Sequence, residues 1–80
     1  MNFHSKDIVS TLMSTTHDQT IQFHWNPEAN WVVYKFVMMD AFTISIGGLP
    51  YYNNHTYSDS RDNVRMLWNR LVDEMGWVVA

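Results

Sequence analysis

Eighty residues leave room for one hydrophobic core and no second, so residues 1–80 are expected to fold as a single domain. Hydrophobic residues make up 46% and charged ones only 16%, with four Trp, four Tyr and four Phe, which excludes a disordered chain. The lack of cysteine excludes disulfides, thiolate zinc sites and a thiol nucleophile, and a net charge of −3 has the wrong sign for a general phosphate binder.

Ser5 is placed to cap a helix over residues 5–14, in which Ile8, Val9, Leu12 and Met13 recur at helical spacing. The run from Ser14 to Asp18 breaks that period and supplies turn chemistry. Residues 20–25 then alternate strictly, with Ile21, Phe23 and Trp25 on one face and Gln22 and His24 on the other, which predicts a half-buried strand. Asn26 to Asn30 reads as a hairpin loop around Pro27. Residues 31–39 are apolar on both faces except at Lys35, as a central strand would be, and Lys35 marks the face turned away from the helices. A third strand is expected through Phe42, Ile44 and Ile46, after a turn near Asp40 and Ala41.

Gly47 to Pro50 is expected to end the sheet, and residues 51–57 read as an ordered, Asn-rich surface loop. Ser58, Asp59 and Ser60 offer N-caps for a helix whose Val64, Leu67, Trp68, Leu71, Val72 and Met75 share one face, and Gly76 suits its end. Trp77, Val78 and Val79 would fold back on the helix or the sheet edge. The expected fold is therefore α+β, in the order α-β-β-β-α. A three-stranded antiparallel sheet carries both the N-terminal and the C-terminal helix on one face.

The other face of that sheet would stay open. It would carry Thr20, Gln22, His24, Lys35, Thr43 and Ser45, but also Trp31, Val33 and Val37, so its centre is more apolar than contact with water requires. Tyr51 and Tyr52 are expected to join it from the neighbouring loop. His24, Trp31, Val33, Lys35, Val37, Tyr51 and Tyr52 are accordingly the candidate partner-binding residues.

Catalysis and metal binding find little support in the sequence. His4, His17, His24 and His55 lie on different elements, and none forms an i, i+4 helical pair, so no metal and no cofactor is expected. The serines and threonines are accounted for by caps, turns and strand surfaces, and no base and nucleophile converge in a recognisable motif. Three of the five basic residues, Arg61, Arg65 and Arg70, sit on the last helix among Asp62, Asp73 and Glu74, which reads as a solvated face rather than a nucleic-acid site.

The run from Ser60 to Trp77 has an Arg-x-x-Trp-x-x-Leu-Val helix that ends in Gly-Trp. It resembles the tails of small phage and bacterial orphan proteins. The resemblance covers under a quarter of the chain and assigns no chemistry. It implies a bacterial host cytoplasm, where such proteins commonly bind and inhibit a larger host protein. The expectation is thus a noncatalytic protein-binding module, a phage-type inhibitor or modulator of a host enzyme or defence complex. A homodimer paired through its open sheet faces is the alternative, with a single-stranded nucleic-acid binder third; no membrane partner is expected.

Overall fold

The computed structural model of the protein describes residues 8–25, 29–39 and 43–80. These residues form seven strands in two sheets and one short C-terminal helix. A five-stranded antiparallel sheet holds β1 (Ile8–Met13), β2 (Gln19–Trp25), β3 (Trp31–Met38), β6 (Thr56–Ser60) and β7 (Val78–Val79), in the spatial order β6-β3-β2-β1-β7. β4 (Thr43–Ile46) and β5 (Leu49–Tyr52) make a separate two-stranded hairpin. The helix α1 (Arg61–Asn69) continues into a π-helical turn, Arg70–Glu74.

The three-stranded sheet between two helices is therefore corrected at three places. First, β1 occupies most of the stretch expected to be the N-terminal helix. Its apolar spacing fits a helix, but Ile8, Val9 and Thr11 are β-branched, and pairing decides the matter. Leu12 lies opposite Ile21 and Ser10 opposite Phe23, so one parity of β1 completes the buried face of β2. The Ser5 cap lies outside the described residues. Between β1 and β2, the Ser14 hydroxyl accepts from the backbone N–H groups of Thr16 and His17, at 3.2 and 3.1 Å. The expected turn chemistry thus joins two strands.

Second, the expected third strand leaves the main sheet. Ile46-Gly47-Gly48-Leu49 turns with φ of +60° and +80° at its two glycines, the mirror-image turn whose twist matches a tight hairpin. The glycines thus join two strands and do not close the sheet. Ile46 and Tyr51 bring the hairpin down on the core side. Phe42, Asp40 and Ala41 lie outside the described residues, as do residues 26–28 of the first hairpin loop.

Third, the Asn-rich stretch read as a loop contains parts of two strands, β5 and β6. Its asparagines serve β3 directly. Asn53 Oδ1 accepts from the Met38 N–H at 2.8 Å, and the Asn54 N–H donates to the Phe36 carbonyl at 2.7 Å. With Asn54 at φ 67°, this turn satisfies the edge of β3 beyond its last pair, Lys35 with Thr56.

The C-terminal helix matches its sequence pattern. Ser60 caps it, its hydroxyl accepting from the Asn63 N–H at 3.3 Å, while Asp59 Oδ1 holds the Ser60 N–H at 2.7 Å. Val64, Leu67 and Leu71 are buried against the sheet. The last turn widens: the Met75 N–H reaches back to Arg70, and the Trp77 N–H donates to the Leu71 carbonyl at 2.9 Å across Gly76, at φ +72°. That closure delivers a buried Trp77 and sends the chain onto β1, where Val79 pairs with Leu12 and Val78 with Met13.

Between helix, hairpin and sheet lies one core. Phe23, Phe36, Leu12, Ile21, Leu71, Val32 and Val64 are its fully buried members. An aromatic chain runs through it, from Trp25 and Trp68 over Phe23 to Tyr34, Phe36, Tyr51 and Tyr57. Burial raises the Tyr34 phenol above its ordinary pKa, and the neighbouring Tyr51 and Asp59 add to the shift. Among the described residues, no helix is long and apolar enough to cross a membrane.

Candidate functional site

Strand register sorts every side chain of the five-stranded sheet to one face or the other. Val37 lies opposite Thr20, Lys35 opposite Gln22, and Val33 opposite His24. The pairing continues outward on both sides. Val9 stands against His24, Thr11 against Gln22 and Met13 against Thr20, while Thr56 meets Lys35 and Ser58 meets Val33. These residues share the face away from the helix and the hairpin.

The structure therefore brings five of the candidate residues together, His24, Trp31, Val33, Lys35 and Val37. Trp31 is 59% exposed and Val33 43%, while Lys35 and Val37 are half-buried between their neighbours. A shallow depression of about 310 Å³ forms around Val9, Gln22, His24, Val33, Lys35 and Thr56. The face supplies apolar contact and neutral hydrogen-bonding groups around one ammonium. Among the described residues, no carboxylate stands on it: Asp18 is in a turn, Asp59 shares the helix-side parity of β6 with Tyr57, and Asp62, Asp73 and Glu74 are on the helical segment.

Tyr51 and Tyr52 do not belong to this surface. Tyr51 is 9% exposed on the opposite side, its ring 4.9 Å from Phe36 and 5.2 Å from Tyr57 by centroid. Tyr52 is exposed, but it lies on the hairpin with its ring beside His55 at 5.6 Å, and its N–H donates to the Tyr57 hydroxyl. Thr43 and Ser45 likewise sit on the hairpin and not on the open face. Both placements follow from the Gly47-Gly48 turn, which carries these residues out of the main sheet.

Three apolar members escaped the sequence reading: Val9, Met13 and Val78, exposed by 67, 39 and 46%. Val9 to Met13 shows no apolar-polar alternation, and only the pairing of β1 with β2 places Val9 and Met13 on this face. Val78, expected to fold back with the tail on the helix or the sheet edge, reaches the face through the pairing of β7 with β1.

Two further hollows lie on the helix side. The larger, about 470 Å³, opens between the Gly47-Gly48 turn and the helix, over Ile46, Leu49, Tyr51, Met66 and Leu67. Its charged rim is largely engaged internally: Arg70 Nε pairs with Glu74 at 3.4 Å, and Asp59 holds the helix cap. The second, about 390 Å³, is bounded by Ser10, Trp25, Arg65, Trp68 and Asn69. No group of three or more histidine, aspartate or glutamate side chains among the described residues is arranged to hold a metal ion.

No family model matches the chain, and neither a curated protein nor a solved structure shows significant similarity to it.

Proposed function

We propose that the protein is a small noncatalytic binding module that docks a larger protein through the open face of its five-stranded sheet. One observation carries the reading. The core is already closed on the other side by helix and hairpin, yet Val9 on one side of His24 and Trp31 and Val33 on the other remain exposed, with Gln22, Thr56 and Ser58 exposed beside them. Exposed apolar and aromatic side chains interleaved with neutral hydrogen-bonding groups are a common form of a protein contact surface. The C-terminal resemblance supports a bacterial host protein as the target and inhibition or modulation as the outcome.

The test is affinity capture from a bacterial lysate, with the captured species identified and its affinity then measured with purified components. Trp31→Ala and Val33→Asp should leave thermal unfolding nearly unchanged and weaken the complex by about 1–2 kcal/mol or more each. If these substitutions instead abolish self-association in sedimentation, the face is a homodimer interface. If they unfold the chain, the face belongs to the core and the reading fails.

A further inference from the structure

The two edges of the five-stranded sheet are finished differently. β6 carries Thr56, Ser58, Asp59 and Ser60 and runs directly into the helix, so its edge is polar and short. The other edge is only half covered. β7 pairs Val79 with Leu12 and Val78 with Met13, and the Ala80 N–H donates to the Thr11 carbonyl at 2.9 Å.

Backbone groups alternate sides along a strand, so an outward Thr11 carbonyl places the N–H and carbonyl of Val9 outward as well. Among the described residues, no strand pairs with Val9 on that side. No charge or proline in β1 blunts this edge either, since its sequence is Ile-Val-Ser-Thr-Leu-Met.

The 390 Å³ notch on the helix side adjoins the same edge. Ser10 creates it. The next residue of the same parity, Leu12, is fully buried, whereas a serine leaves the space between strand and helix unfilled. Trp25 and Trp68 wall the notch, edge to face, with centroids 6.4 Å apart.

We propose that this edge accepts an extended segment of a partner protein, added as a further strand along residues 8–10. The residue opposite Val9 would exchange backbone hydrogen bonds with it. The residue opposite Ser10 would point to the helix side and lay a bulky apolar side chain over Ser10, against the rings of Trp25 and Trp68. Backbone pairing gives affinity in this mode of recognition, and the side-chain notch gives selectivity. A second copy of β1 is the competing occupant, and the concentration dependence of protection separates it from a partner segment. The inference is independent of the open-face reading and uses different side chains.

The probe is a short capped peptide of alternating threonine and valine with one central phenylalanine, titrated into the full chain and followed by amide exchange and indole NMR signals. The expected result is saturable slowing of exchange at Val9, with shifts of the Trp25 and Trp68 indoles. Ser10→Leu, which fills the notch, should weaken binding about tenfold or more without lowering the melting temperature. Val9→Pro, tolerated on an edge strand, should abolish binding; if that variant does not fold, Ser10→Leu decides. A Val9 amide already protected in the protein alone would overturn the proposal, as would no saturable change or equal binding by Ser10→Leu. Protection that rises with protein concentration would reassign the edge to self-association. Shifts confined to Val33 and Lys35 would refute the edge site while supporting the open face.

Discussion

β3 shows both faces of the sheet within one strand. Val32, Phe36 and Met38 are at most 2% exposed and Tyr34 6%, while their neighbours Trp31 and Val33 are exposed by 59 and 43%. The two sets are similarly apolar, so composition does not separate them. What separates them is parity relative to the helix and hairpin, which cover one side only. The buried set is interlocked by aromatic rings, Phe23 lying 6.0 Å from Tyr34 and 5.1 Å from Trp68. The exposed set makes its contacts across the strands of a single layer.

The largest test of this contrast is Phe23→Ala. It removes the ring that joins the Trp25–Trp68 and Tyr34–Phe36 parts of the core, and should cost about 3–5 kcal/mol in denaturant unfolding. A loss below 1 kcal/mol would mean that the helix side is not the core.

A sharper comparison uses one substitution at adjacent positions. Val32→Thr buries a hydroxyl among apolar groups and should cost about 1–3 kcal/mol, whereas Val33→Thr should stay within about 0.5 kcal/mol of wild type. Similar melting temperatures for the two variants would erase the distinction between the faces.

A further contrast is a pH dependence confined to the buried face. A Tyr34 phenol whose folded-state pKa lies above its ordinary 10.0 keeps its proton in the folded protein. The stability linked to that proton is complete below pH 10 and is lost as pH rises through the folded-state value. The decline above pH 10 should approach about 1.4 kcal/mol per pH unit and be reduced in Tyr34→Phe, by melting curves at successive pH values.

These contrasts also mark where the sequence could be read and where it could not. The alternation of residues 20–25, Lys35 as the marker of the outer face, and the capped helix from Ser60 are local patterns that tertiary pairing leaves in place. His24, Trp31, Val33, Lys35 and Val37 were legible as one surface because they sit on two strands joined by a short loop, which leaves few alternative registers. β1 was not legible. Its apolar spacing serves a helix as well as a strand, and only the match of Leu12 to Ile21 chooses between them. The hairpin is not legible because only Thr43 to Ile46 alternates while Leu49-Pro50-Tyr51-Tyr52 does not, so Gly47-Gly48 signals an end as readily as a turn. That turn is what keeps Tyr51 and Tyr52 off the open face. β7 and the half-covered edge depend on a pairing between residues distant in the chain, and no periodicity records such a pairing.

The strand pairing at that edge bears on how fast the molecule can assemble. β1–β2–β3 and β4–β5 connect neighbours in sequence, whereas β7 reaches β1 only after the helix has been laid down, its end widened and Trp77 seated. Closing so long a loop costs chain entropy before its contacts offer any return, so the amides of this pairing are expected to gain protection last when refolding is followed by exchange. With Val78 and Val79 exposed by 46 and 65% and only two residues in the strand, little burial holds β7 in place, and the weakest amide protection of the sheet is expected there.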